Sequence, residues 1–171
     1  MDIDCDGQKN GAGDDGRCDS SWDFQPQTSF KHMVQRYGIS DLNAFVHTYV
    51  VFGNEGTKPD FVNFNPRQFG MQPLSVMAVV CGNKMFYGVW GDTNGDDQPR
   101  AAVGEVSISL ATLCYGKEMN GDNGHEQPDV LYIGFTGKDV VTDTSVNWKA
   151  GNAIGFERSL GKIGDRLIQR L

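Results

Sequence analysis

MAVVCGNKMFYGVWGDTNGDDQPRAAVGEVSISLA, residues Met77 to Ala111, decides the architecture. Three apolar runs, Val76–Cys81, Met85–Trp90 and Val103–Ala111, are separated by two polar turns and read as three strands. Gly82-Asn83 joins the first two as a two-residue hairpin, because both residues tolerate positive φ. The second connection, Gly91-Asp92-Thr93-Asn94-Gly95-Asp96-Asp97, is acidic and leaves an aromatic strand. Glu105 then stands in a run that is otherwise Val, Ile, Leu, Ala and Ser. One carboxylate at a strand end and another within an apolar strand could face one cleft.

The 171 residues suffice for a single domain, 1–171, with a sizeable core. Twenty-two glycines and 11% aromatic residues favour a loop-rich, mainly β (α+β) protein over a helical bundle. The formal charge of −7 argues against nucleic acid, whose phosphates it would repel. It suits a cationic partner, or simply an acidic soluble protein. No apolar run reaches membrane-spanning length, so no membrane partner is expected. Met1-Asp2-Ile3-Asp4-Cys5-Asp6 lacks the basic end and apolar segment of a leader. The chain is thus expected to be cytosolic or a mature form with its leader removed. Four cysteines allow three pairings, of which the local one, Cys5–Cys18 with Cys81–Cys114, is preferred. Their even number in a Gly-rich chain leans towards disulfides and secretion. No CxxC or Cys/His spacing suggests zinc.

Residues 1–29 show almost no periodicity and read as an irregular segment stapled by a disulfide. Asp2-Ile3-Asp4-Cys5-Asp6-Gly7 opens like a calcium loop, but the twelfth position is Gly13, so an acidic Asx turn is the better reading. Phe30, Met33, Val34 and Tyr37 make a helical stripe stopped by Gly38, with His32 facing solvent. Asn43–Phe52 reads as a strand in which His47 is structural rather than a base. Phe61–Phe69 reads as irregular chain or a short edge strand, and Tyr115–Asp129 as a polar loop leading to a buried strand through Phe135. Phe156, Leu160, Ile163, Leu167 and Leu171 form the apolar stripe of a C-terminal helix packed on the sheet.

Glycosidic cleavage needs one carboxyl group to protonate the leaving oxygen and a second to act as nucleophile or to activate water. Asp92 and Glu105 suit that demand, with apolar neighbours raising the Glu105 pKa. Tyr87, Trp90 and Phe86 are candidate flat faces for sugar rings. Asp96, Asp97, Asp122 and Glu126 could hold a cationic sugar. Asp92, Asn94 and Asp96 alternate like calcium ligands, but the twelfth position of that loop is Val103, which cannot close it.

The residues that carry this chemistry also carry a resemblance. Met71–Cys81, Phe86–Asp96 and Val103–Ala111 resemble the fungal endo-chitosanases of glycoside hydrolase family 75, as do Asp4-Cys5-Asp6-Gly7, Tyr49–Asn54 and Asn120–His125. Thr48 after His47, where proline is expected, and Glu126, where Asp is commoner, are departures. The resemblance implies endo-hydrolysis of β-1,4 bonds between glucosamine units of chitosan, with inversion, by a secreted fungal protein. It implies Asp92 and Glu105 as the catalytic pair; local apolarity makes Glu105 the general acid and Asp92 the general base. Tyr87, Trp90, Asn94, Asp96, Asp97, Asp122 and His125 are then expected to bind chitosan or glucosamine oligomers. No cofactor or metal is expected, and the protein should act as a monomer. The implied fold is a double-psi-like β-barrel with a few flanking helices. Two other classes fit the residues: a non-catalytic extracellular glycan- or calcium-binding module, and a lytic-transglycosylase-like barrel needing one catalytic carboxyl.

Overall fold

The computed structural model describes residues 1–59, 63–95 and 103–171, and every structural statement concerns these. They form a mixed α+β architecture: β1 Ile3–Asp4, α1 Lys31–Val34, β2 Tyr49–Asn54, β3 Val76–Cys81, β4 Lys84–Asn94, β5 Glu105–Ser107, α2 Ile108–Tyr115, β6 Val130–Gly134 and α3 Ala153–Ile168. The six strands make one sheet in the order β1-β5-β2-β4-β3-β6. Pairings β1–β5 and β2–β4 are parallel, and the other three are antiparallel. Among the described residues β1 and β6 end this order, so the sheet is open and barrel closure is not seen.

The β3–β4 hairpin forms where expected, with Cys81 opposite Lys84. Gly82 alone takes positive φ, 60°, the pattern of a type II′ turn. The third apolar run behaves differently. Only Glu105–Ser107 is strand, and Ile108–Tyr115 is helix α2. Ser107 is the switch: its Oγ caps the helix by accepting from Leu110 N and also accepts from Tyr49 N at 3.1 Å. Strand β2 likewise starts at Tyr49 and not at Asn43. Asn43 Oδ1 accepts from Phe45 N at 2.8 Å and His47 Nδ1 accepts from Asn43 N at 2.8 Å, which winds that segment into a turn. Buried His47 uses its other nitrogen on Trp148 O, so its role is structural.

Disulfides Cys5–Cys18 and Cys81–Cys114 both form. The first ties β1 to the irregular N-terminal segment, and the second ties the end of β3 to α2. Helix α1 is one turn, extended by a 3-10 turn at Gln35–Tyr37 and stopped at Gly38 with φ 79°. In α3, Phe156, Leu160, Ile163 and Leu167 are buried against the sheet, whereas Leu171 lies beyond the helix and is exposed. Gly164 faces Tyr87 so closely that a Cβ there would lie 2.4 Å from the ring. Glycine is what lets this helix sit down on β4.

Candidate active site

Asp92 lies near the end of β4, and a bulge aims it. Val50 pairs with Trp90 and Val51 with Asp92, so β4 advances two residues where β2 advances one. Gly91 makes the bulge possible, since a Cβ there would lie 2.6 Å from both Leu42 Cδ1 and Tyr49 Cβ. On the other side of β2, Glu105 pairs with the same Val51. Residues directly opposed across strands share a face, so Asp92 and Glu105 stand on one face of the sheet. Two strand spacings separate their backbones, about 9–10 Å.

The two carboxyls live in different surroundings. Asp92 is buried, and its Oδ1 accepts from Ser29 Oγ, from Ser29 N at 2.9 Å and from Thr93 N at 2.7 Å. Burial raises its pKa to about 6, while those three donors hold it back. Half-buried Glu105 accepts one bond, from Asn94 Nδ2 at 2.7 Å. Burial raises it to about 7; Asn94 opposes this, and Asp2, Asp23 and Asp92 add to it.

The N-terminal segment supplies further acids. Asp4 is buried, and its Oδ1 accepts from Asp6 N at 2.6 Å. Asp6 Oδ1 accepts from Gln25 N at 2.6 Å. Burial pushes Asp4 well above the usual carboxylate range and Asp6 to about 8. Cys5 sits between them, so the Cys5–Cys18 bridge fixes both. Asp4, Asp6 and Asp92 bring one oxygen each within 4.8 Å of the others, which makes them the group among the described residues able to hold a cation.

An open cavity of about 350 Å³ lies between Asp6, Ser29, Asp92 and Asn94. It shares its Asp6, Gln25 and Asn94 wall with a smaller recess that contains Asp23 and Glu105. No Lys, Arg or His is among the described residues lining either space. A lining of carboxyl groups without a base favours a bound cation over an anion, and the cation in turn favours their ionised forms.

Of the sequence-derived candidates, Asp92, Glu105 and Asn94 come together here. Trp90 does not offer a sugar platform: it is fully buried, and its Nε1 donates to Asp92 O at 2.9 Å. Tyr87 is also buried, with its hydroxyl donating to Asp165 on α3 at 2.8 Å. Both rings belong to the core because β4 is covered on both sides. Asp122 and His125 line neither space. Their loop instead clasps the N-terminus: Met1 N donates to His125 O at 2.9 Å, and Gly121 N to Arg17 O at 2.9 Å. The His125 ring stacks on Tyr115 and bonds Asp129. Asp96 and Asp97 lie outside the described residues. Sequence reasoning missed Asp4, Asp6, Asp23 and Ser29 as parts of the cleft. The Asp4-Cys5-Asp6 string was the available signal, since a disulfide pins its two acids in place.

The family model described as fungal chitosanase of glycosyl hydrolase group 75 matches residues 1–170. An endo-chitosanase of Aspergillus oryzae is 52% identical over the whole chain, which covers 67% of that protein. An endo-chitosanase of Aspergillus fumigatus is also 52% identical over the whole chain, covering 68% of it. Endo-chitosanase C of Aspergillus oryzae is 34% identical, with 38% of its length covered. No solved structure matches the chain. The chain belongs to the family of fungal chitosanases, glycosyl hydrolase group 75.

Proposed function

We propose that the protein is an endo-acting glycosidase that cleaves β-1,4 bonds between glucosamine units of chitosan with inversion. The observation that carries the reading is the placement of Asp92 and Glu105 on either side of Val51, on one face, with pKa values of about 6 and about 7. The group with more hydrogen-bond donors ionises first and is the base, while the other keeps its proton and is the acid. Glu105 gives its proton to the glycosidic oxygen as the bond to the anomeric carbon breaks. Asp92 takes a proton from a water whose oxygen attacks that carbon from the opposite face. Asn94 occupies Glu105 Oε1, which leaves Oε2 to carry the proton. Ser29 and Thr93 occupy Asp92 Oδ1, which leaves Oδ2 for the water. Inverting pairs stand roughly 6.5–9.5 Å apart, and a backbone separation of two strand spacings leaves room for that water.

The substrate follows from the charge. Chitosan is a polycation when its amines are protonated, and the cleft gathers the carboxyl groups of Asp4, Asp6, Asp23, Asp92 and Glu105 without a basic residue among its described lining. A bound ammonium therefore draws the protons off those that burial has raised and pairs with the carboxylates it creates. Secretion fits the two disulfides. The two parallel pairings within an otherwise antiparallel sheet support a relation to double-psi folds.

Proton NMR of the newly formed reducing end tests the mechanism: the α-anomer appears first, and initial β-anomer would overturn inversion. Azide is expected to rescue Asp92→Asn and not Glu105→Gln; the reverse pattern exchanges their roles. A cation-binding module is the second reading, favoured by the spacing of Asp4, Asp6 and Asp92. It predicts chelator-sensitive stability and no shortening of chitosan.

A further inference from the structure

With Trp90 and Tyr87 buried, no aromatic ring is among the described residues lining the cleft, and an exposed one stands next in sequence to its wall. Trp22 is 72% exposed, whereas the other two tryptophans, Trp90 and Trp148, are 0% and 3% exposed. Its neighbour Asp23 lines the recess that holds Glu105, and the negative charge of Asp23 reaches both Glu105 and Asp6. The turn is anchored at both ends. Cys18 is bridged to Cys5 and its carbonyl accepts from Ser21 N; Ser21 Oγ donates to Asp23 Oδ1 at 2.9 Å. After it, Phe24 packs against the core and Gln25 N is held by Asp6. A large indole is thus held in water, one residue from the cleft wall, about 3.8 Å along the backbone.

We infer that the Trp22–Asp23 turn is a sugar subsite next to Glu105, where the indole carries the apolar face of a glucosamine ring and Asp23 pairs with its ammonium. The inference rests on the chitosan reading above. The occupant is set by complementarity: the hydrogens on one face of a pyranose ring pack on an aromatic plane. An ammonium beside that plane is attracted by the ring face and by the carboxylate. A neutral N-acetyl unit would keep the stacking and lose the ion pair.

The test uses Glu105→Gln protein, so that oligomers are bound without being cut. Glucosamine hexamer is titrated by calorimetry and by acrylamide quenching of tryptophan fluorescence, which Trp22 dominates because the other two indoles are buried. The hexamer is expected to shield the indole. Trp22→Ala should weaken binding about tenfold and Trp22→Phe only a few-fold. Asp23→Asn should weaken glucosamine hexamer several-fold and leave N-acetylglucosamine hexamer unchanged. Binding of the hexamer with the indole still open to acrylamide and unaltered affinity in Trp22→Ala would overturn the subsite while leaving the chitosanase reading standing. Equal losses for both hexamers in Asp23→Asn would overturn the ammonium pairing. If no hexamer binds and wild type fails to shorten chitosan, both readings fall together.

Discussion

Glu105→Gln should make the protein more stable at alkaline pH while abolishing its activity. The Glu105 carboxyl is raised from 4.5 to about 7, chiefly by burial. A carboxyl whose folded pKa lies above its unfolded value favours the fold when protonated. That contribution is complete below pH 4.5 and is lost as pH rises through about 7. At about 1.4 kcal/mol per pH unit the span is worth roughly 3 kcal/mol, and residual solvent access reduces it to about 2–3 kcal/mol. Glutamine keeps an oxygen for the Asn94 amide and has no charge to bury. The variant should therefore match wild type at pH 4 and exceed it by about 2–3 kcal/mol at pH 8. In urea, with a slope of roughly 2 kcal/mol/M, that moves the unfolding midpoint up by about 1 M or more. Parallel urea titrations at the two pH values check it. Equal midpoints at pH 8, or a less stable variant there, would refute the claim that Glu105 is held at a cost to the fold.

Two glycines of α3 should respond in opposite directions. Gly161→Ala has nothing nearer than Asp165 Oδ2 at 4.0 Å and should stabilise by roughly 0.5–1 kcal/mol, while Gly164→Ala drives a Cβ to 2.4 Å from Tyr87 and should destabilise by about 1–3 kcal/mol, both read from thermal melts. Replacing Cys5 and Cys18 together with Ser opens a bridge of 13-residue separation, worth about 3 kcal/mol. Activity on chitosan should fall with it, because Asp4 and Asp6 flank Cys5, and the loss should persist at temperatures where the protein remains folded by circular dichroism. Raising salt from 0.05 to 0.5 M, about a threefold shortening of the screening length, should raise KM for chitosan with little change in kcat, since the acidic lining acts on encounter; an unchanged KM would count against it.

The common placement of Asp92 and Glu105, the proposed catalytic pair, was legible because two motifs, Trp90-Gly91-Asp92 and Val103-Gly104-Glu105, carry their geometry locally. A glycine permits the bulge before Asp92. The other, Gly104, takes φ 95°, and a Cβ there would lie 2.9 Å from the Tyr132 ring, so glycine is what lets the chain pass on its way into β5. The β3–β4 hairpin and the amphipathic α3 were legible for the same reason, as short-range patterns. Helix α2 was not, because Val106, Ile108 and Leu110 alternate with Ser107 and Ser109 as a strand would. Only the tertiary contacts of Ser107 with Tyr49 reveal the serine as a cap. Asn43–Thr48 misled in the same way, since an apolar run hides a turn made by the Asn43 and His47 side chains. The aromatic platform was misplaced for a packing reason. A tryptophan on a central strand is covered on both sides, while Trp22, in a segment without periodicity, stays in water. Asp4 and Asp6 join the cleft through β1–β5 pairing between the first residues and the middle of the chain, a contact that no local pattern announces.

The most direct test of the central claim is release of reducing ends from chitosan, with product size, by wild type, Asp92→Asn and Glu105→Gln. Wild type should yield short oligomers, and each variant, folded by circular dichroism, should lose about 10²–10⁴-fold in rate. Chitosan that is bound but not shortened by wild type, or a Glu105→Gln protein that still cleaves at a wild-type rate, would contradict the account.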